Sequence, residues 1–413
     1  MIDEPVTAPV ETRRHGLAAL GVRQYRWYFG GQLIAQTGTW FQNLAIALLV
    51  LQITGSASAL AIVTVCQFGP MLLLAPIAGR LADSVRPRSI LIATSATLGT
   101  ITLGLALVVS AEEPSLPLVY GLLLASGVAI AFERVASQAI VFELVGGELL
   151  QSGVVLSTVY ISAARSIGPA LAGVAVIVLG APACLLINAA SYLAVLAALI
   201  AIRPRRLHPR PLPEGERPSV IANLRLAARN RPLIVLLAVN AFVAVLAYNF
   251  NVTLTAVVSL SFDGDAGALG AAHALNAVGA VVGGVLVAWF VRVRAITIVP
   301  ALLLFGVVMV ANAAAPTLPL FLIAAPLLGI GLGVYQAVIN SAAQSVTPAW
   351  ALGRTMSLLS LGNAGLAPIG AIALGLLIDV TNGQVGLAVG AAACLIAAAA
   401  AWPVLRRRKE ATA

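Results

Sequence analysis

Three ionisable side chains stand inside long apolar stretches of this sequence: Glu133 and Arg134 in one, and Arg165 in the next. A charge in hydrocarbon is costly unless it is paired or wetted, so intramembrane ionisable residues mark candidate functional positions. A carboxyl so placed can take up and release a proton, and an arginine can hold an acidic partner. Two arrangements stay open. Glu133 and Arg165 can form a permanent ion pair that only ties two helices, or Glu133, alone or turned with Arg134 into a cavity, can alternate between a proton and an arginine. At about 1.5 Å per residue, Glu133 lies roughly 24 Å from one end of its stretch and Arg165 roughly 20 Å from the start of its own. Other chemistries lack their residues, since no phosphate loop, zinc spacing or nucleophile elbow occurs. Cys66, Cys184 and Cys394 lie far apart within apolar runs and read as small core hydrophobes. We expect no metal, no cofactor and no enzymatic reaction.

Uncharged polar residues add a second set of candidates. Gln32, Gln36, Thr39 and Asn43 recur on one face of a helix, as do Tyr248, Asn251 and Thr255, and Gln336, Asn340 and Gln344. Such faces avoid lipid. They either line a wet cavity or bond helices to one another. His273, early in another apolar run, is expected to make a helix-to-helix hydrogen bond rather than to titrate.

The elements that carry these residues follow from composition. Of 413 residues 60% are apolar and 9% charged, with a mean hydropathy of +1.01. A soluble protein keeps about 25% charged residues, so a water-soluble globule is excluded. Apolar runs of spanning length begin near Trp27, Ala59, Ser89, Leu118, Ser152 and Pro182, then near Leu233, Ala268, Ala295, Leu318, Thr355 and Gln384. Each is near the ~20 residues that a membrane helix needs. No long period-two alternation suggests a barrel. The expected organisation is an all-α membrane protein of twelve helices in two pseudo-symmetric six-helix bundles. Residues 1–25 form a tail, 26–202 the first bundle, 203–231 a flexible or amphipathic linker, 232–405 the second bundle, and 406–413 a second tail.

Charge placement sets the orientation. Twenty-two of the 24 basic residues fall in segments on one side, including eight arginines of the linker, Arg292 and Arg294; the other two are Arg134 and Arg165. Glu112, Glu113, Asp263, Asp265 and Asp379 fall on the other side. By the positive-inside rule both termini are cytoplasmic. The same asymmetry accounts for the net charge of +9 and the pI near 10.2 without nucleic acid.

An internal repeat supports two halves. Residues 55–60, with Gly55, Ala59 and Leu60, open the second span, and residues 264–269, with Gly264, Ala268 and Leu269, open the eighth. Related six-helix halves are a transporter signature, with the substrate site between them near the midplane. The turn after the second span reads Gly79-Arg80-Leu81-Ala82-Asp83-Ser84-Val85-Arg86-Pro87-Arg88. It resembles the GxLADxxxxR loop of the major facilitator superfamily, with Ser84 where a basic residue is common and Arg86 where glycine is. The second half has Ala288 at the position of the aspartate. The fifth span holds Arg165-Ser166-Ile167-Gly168-Pro169-Ala170-Leu171-Ala172-Gly173, similar to the glycine-proline motif of that superfamily's exporters. Gly168, Pro169 and Gly173 would let the helix bend and pack closely.

Together with Thr54-Gly55-Ser56, Phe142-Glu143-Leu144-Val145 and Gly353-Arg354-Thr355-Met356-Ser357, the pattern resembles the branch of enterobactin exporters and macrolide efflux pumps. The resemblance runs from Arg23 to about Gly383. It implies proton-coupled efflux of amphiphilic small molecules, a drug, siderophore or other natural product, across the bacterial inner (plasma) membrane by a monomer. It also implies that spans one, four, seven and ten line the cavity. The gating motif would comprise Gly79, Asp83, Arg88 and Arg354, with Asp83 near Arg354 at the start of span eleven. Expected partners are the substrate, protons and the bilayer. An importer or facilitator of a small metabolite or organic anion with the same fold is the alternative, and the arginines in excess of the one glutamate suit an anion.

Overall fold

The computed structural model describes residues 17–209, 220–228, 230–291, 293–348 and 351–410, and all their regular structure is helical. Ten segments among them are long and apolar enough to cross a membrane. One, Leu116–Ala201, runs for 86 residues. As a straight helix it would be about 130 Å long, about four times the hydrocarbon thickness. It turns back twice, at Gly146 (φ 72°, ψ 178°) and Gly180 (φ 82°, ψ 168°). Only glycine readily enters that region, so two residues convert one run into three crossings.

Among the described residues there are thus twelve spans. They are α1 (Arg23–Thr54), α2 (Ala57–Ser84), α3 (Pro87–Val109), α4 (116–145), α5 (147–179) and α6 (181–201). The second set is α7 (Arg231–Ser261), α8 (Ala266–Phe290), α9 (Ile298–Ala313), α10 (Leu318–Ser345), α11 (Leu352–Ser360 continuing through a π turn into Ala367–Val380) and α12 (Gly383–Glu410). The spans begin within about five residues of the positions expected from hydropathy. A short helix, Val220–Ala228, lies in the linker. An even number of crossings puts both ends on one side, here called the terminal side; the other is the far side.

The repeat seen in the sequence is a repeat of capping chemistry. Ser56 Oγ accepts from Ala59 N at 3.2 Å and starts α2, and Asp265 Oδ1 accepts from Ala268 N at 2.8 Å and starts α8. Both satisfy a backbone donor that the helix itself leaves unpaired.

Packing relies on backbone contact, as expected where lipid removes the hydrophobic drive between helices. Gly279 and Gly283 of α8 face Gly329 and Gly333 of α10 so closely that a Cβ on any of them would overlap the facing backbone. A Cβ on Gly284, one residue along, would meet nothing within 4 Å. Gly329→Ala is therefore expected to destabilise the protein by about 1–3 kcal/mol, the range for overpacking, while Gly284→Ala leaves it unchanged. Thermal unfolding in detergent compares the two. Equal midpoints would show that the α8–α10 crossing is looser than described.

The two halves meet along α2 with α11 and along α5 with α8. Inside the first half, Gln42 Oε1 accepts from Thr102 Oγ1 (3.0 Å) and Asn188 Nδ2 (2.9 Å), joining α1, α3 and α6 through a buried polar node. This node holds α1, which carries the first polar face, in a fixed rotation.

Candidate functional site

Several of the candidate residues lie between the halves, on α1, α4, α5, α7 and α8, while Gln32 and Glu133 turn into the first half. Helix α7 is interrupted at Tyr248 and Asn249, between Arg231–Ala247 and Phe250–Ala256. Asn249 Nδ2 repairs part of the break by donating to Val245 O at 2.8 Å. Gly370 of α11 sits against Val245 O and Asn249, with no room for a side chain. Discontinuous spans near the midplane are where transporters build substrate sites. This break places Tyr248 and Asn251 at the interface.

Toward the far side, Trp40 and Asn43 of α1, Gln67 of α2, Asn251 and Thr255 of α7 and His273 of α8 line a pocket of about 30 Å³, the room of about one water. Gln67 Nε2 donates to Asn43 Oδ1 at 3.4 Å, and the Trp40 and His273 rings lie 5.7 Å apart across the two halves. Gly168 lets Trp40 lie on the backbone of α5, where a Cβ would come 2.6 Å from Trp40 Cδ1. Gly173 and Gly270 press α5 onto α8, with Gly173 Cβ space 2.8 Å from Ala266 O and Gly270 Cβ space 2.5 Å from Pro169 O. The glycine-proline motif thus serves a crossing between halves.

Closer to the terminal side the chemistry changes. Arg134 and Arg165 are both exposed although each is deep within a span. At about 1.5 Å per residue, Arg134 is roughly 17 Å from the end of α4. An arginine facing hydrocarbon there would be costly, so this exposure marks a wet interior. Each arginine feels the other's charge, and Arg165 also lies close to Tyr248 of the opposite half. Arg134 Nη1 contacts Met71 Sδ of α2 at 3.8 Å. Tyr248 packs on Tyr335 at 5.8 Å; its hydroxyl is buried without a hydrogen bond and faces Gln336.

Glu133 is half-buried and turned the other way. Among the described residues it makes no ion pair, so the pairing with Arg165 considered from sequence is not formed. One residue is about 100° around a helix, which carries the carboxyl off the arginine face into the first half. Its charge bears on the hydroxyls of Tyr28, Tyr160 and Tyr192, from α1, α5 and α6. The Tyr28 hydroxyl is buried with no hydrogen-bond partner.

The remaining predicted residues divide. Gln32 is 1% exposed with its Nε2 unpartnered, and Gln36 and Thr39 are half-buried. Thr39, Thr255 and Asn340 bond back to their own helices, at Ala35 O, Asn251 O and Gln336 O. Gln344 reaches Met356 Sδ at 3.7 Å. Of the loop motif, Gly79 is buried. Arg88 donates through Nε to Leu199 O at 2.8 Å and through Nη2 to Ile200 O at 3.5 Å, placing a cation on the carbonyl end of α6, where the helix dipole favours one. Arg354 stands at the start of α11. The Asp83 side chain and Arg292 lie outside the described residues.

Comparison with known proteins matches a model described as transmembrane secretion effector over residues 14–413. The chain belongs to this family of the major facilitator superfamily. The family is one of membrane transporters, not enzymes, and the chain is a multi-pass integral membrane protein. A staphyloferrin A transporter of Staphylococcus aureus (strain NCTC 8325 / PS 47) is 32% identical over 178 residues, 42% of this chain and 44% of that protein. The match therefore spans less than half of that relative's length. Two solved structures share the fold. The POT family transporter PepTSo is 11% identical with TM-score 0.72, covering 94% of this chain and 99% of that one. A bacterial homologue of the human lysosomal transporter Spinster, inward-facing and occupied, is 14% identical with TM-score 0.71, covering 94% and 97%.

One residue of the site was not singled out for a role in the sequence. Asp379, at the end of α11, accepts from Ala57 N (2.6 Å), Ser58 N (3.1 Å) and Ser56 Oγ (2.8 Å) at the start of α2. A carboxylate of one half thus caps a helix of the other and holds the far side together. Beside it, a Cβ on Gly375 would lie 2.9 Å from Ala57 O. An exposed anion at a helix start contributes about 1 kcal/mol. In Asp379→Asn, a cysteine placed at Asn251 is expected to react about fivefold faster with an impermeant maleimide from the far side. Unchanged labelling would show that the cap does not hold that side shut.

Proposed function

We propose that this protein is a proton-coupled exporter of acidic amphiphilic small molecules, of the siderophore or related natural-product class, working by alternating access in the bacterial plasma membrane with the terminal side cytoplasmic. The observation that carries the reading is the pair Arg134 and Arg165, exposed in the interior between the halves with no carboxylate ion pair among the described residues. Two guanidiniums in each other's field gain from a bound anion, and each can hold a carboxylate by two parallel hydrogen bonds. The uncharged lining of Trp40, Asn43 and His273 beyond them has the chemistry for the apolar and amide parts of such a molecule, and the halves would have to part there to widen a space that now has room for about one water. The partial likeness to a siderophore transporter supports the class. Contacts across the far side, with water reaching the arginines, suit a site open to the cytoplasm and ready to load.

In this reading the working unit is a monomer, residues 26–202 and 232–405 are the rocking bodies, and 203–231 is their tether. Asp83 with Arg354 would close the cytoplasmic side, with Gly79 and Arg88 holding that turn. Glu133 carries the proton and takes an arginine partner in the other half of the cycle. Everted vesicles test the proposal. Acidifying the lumen should drive uptake of a hydroxycarboxylate siderophore, and collapsing the pH gradient should stop it. Uptake that instead requires right-side-out vesicles favours the importer of an organic anion, which the same two arginines would also serve.

A further inference from the structure

A second cavity lies away from the site, on the outside of the first half. It is a groove of about 740 Å³ between α1 and α6, lined by Arg23, Arg26, Trp27, Gly30, Ile34 and Ala197, among others, with no acidic residue in its lining. Gly31 sets its floor, where a Cβ would come 3.2 Å from Ala194 O and Ala198 Cβ. The walls continue into a lipid-facing surface, because Trp27 (55%) and Ile34 (52%) of α1 and Leu193 and Ile200 of α6 are all exposed. The groove is therefore apolar along its length and basic at one end.

At that end the carbonyl terminus of α6 already has its cation in Arg88, on Leu199 O and Ile200 O, which leaves the charges of Arg23 and Arg26 to another partner. Arg23 and Arg26 occupy the first turn of α1, which has no acidic residue and no side-chain cap from Val22. The helix start already carries partial positive charge, so cations here are poorly placed for the helix itself. Both arginines are exposed. Charge complementarity and the apolar continuation together call for a ligand with an anionic head and a hydrocarbon tail.

We propose that this groove binds one anionic phospholipid, its phosphate on Arg23 and Arg26 and one acyl chain running past Trp27 and Gly30 to Ile34. Basic pockets between spans recognise such headgroups, each arginine contributing about fivefold in affinity. The lipid would supply the negative charge that the start of α1 lacks and fix the entry angle of the helix that carries Trp40 and Asn43.

The test uses the purified full chain in nanodiscs with bromine-labelled acyl chains, reading Trp27 as the fluorescence lost between the parent protein and Trp27→Phe. Brominated phosphatidylglycerol should quench Trp27 at much lower mole fraction than brominated phosphatidylethanolamine. Arg23→Gln with Arg26→Gln should cost about twenty-five-fold in that preference while leaving residual quenching by both lipids. Gly30→Leu, where a Cβ meets nothing within 4 Å so that the backbone need not move, should fill the groove and remove quenching by both. Soluble glycerol 3-phosphate should not displace the lipid. Equal quenching by the two lipids, a preference that survives the double glutamine variant, or displacement by glycerol 3-phosphate would each overturn the proposal.

Discussion

Glu133→Gln is expected to abolish uphill accumulation of substrate while leaving binding and exchange measurable. Glutamine keeps the size of the protonated carboxyl and cannot release a proton. With one proton exchanged per substrate and no membrane potential, each unit of pH difference supports about tenfold accumulation. The variant should fall to no accumulation at all, at every pH tested. The geometry motivates the choice. Glu133 makes no ion pair among the described residues, and its charge bears on the hydroxyls of Tyr28, Tyr160 and Tyr192 rather than on Arg134 or Arg165. Accumulation ratios in proteoliposomes across a set pH gradient decide the matter. A glutamine variant that still concentrates substrate, with the parent's pH dependence, would remove Glu133 from the coupling.

Arg165→Gln is expected to weaken binding of a carboxylated substrate by about ten- to hundredfold. A hydrogen bond to a charged group contributes about 1.5–3 kcal/mol, and more is lost when the partner stays buried and unpaired. Arg165→Lys should recover only part of this, because an ammonium cannot form the two-pronged contact. Arg134→Gln should act in the same direction. The methyl ester of the same ligand should bind the parent and the variants alike. Calorimetric titration separates these cases, and an equal loss for acid and ester would mean that Arg165 shapes the cavity rather than holding an anion.

Much of this architecture is written in composition. Twelve apolar runs, a central basic segment and capping residues at matching places in two halves require little tertiary information, since lipid forces every backbone group to be satisfied within its own helix. The polar faces were legible for the same reason, although periodicity could not separate Asn43, which lines the pocket, from Gln32, which is sealed within the first half. Gln42 shows the limit most clearly. It falls off the chosen face yet anchors three helices, because its partners Thr102 and Asn188 are 60 and 146 residues away. The pairing of Glu133 depended on a rotation of about 100° between adjacent residues, which a hydropathy pattern does not report. Asp379 read as one of several far-side acids, and only the fold brings it to α2. The turn at Gly146 lies between Glu143 and Glu148 and that at Gly180 just before Pro182, so both breaks show as gaps between apolar runs, whereas the positive φ that lets one helical run fold back there does not show in hydropathy.

The central claim is that substrate and proton move in opposite directions through one protein. Proteoliposomes containing only the purified chain, with a pH dye trapped inside and a hydroxycarboxylate siderophore added outside to one orientation, test it most directly. Substrate entry should be accompanied by release of protons from the lumen in a fixed ratio, and both signals should vanish together in Glu133→Gln. Substrate entry with a silent pH dye, or proton movement that ignores the substrate, would contradict the account.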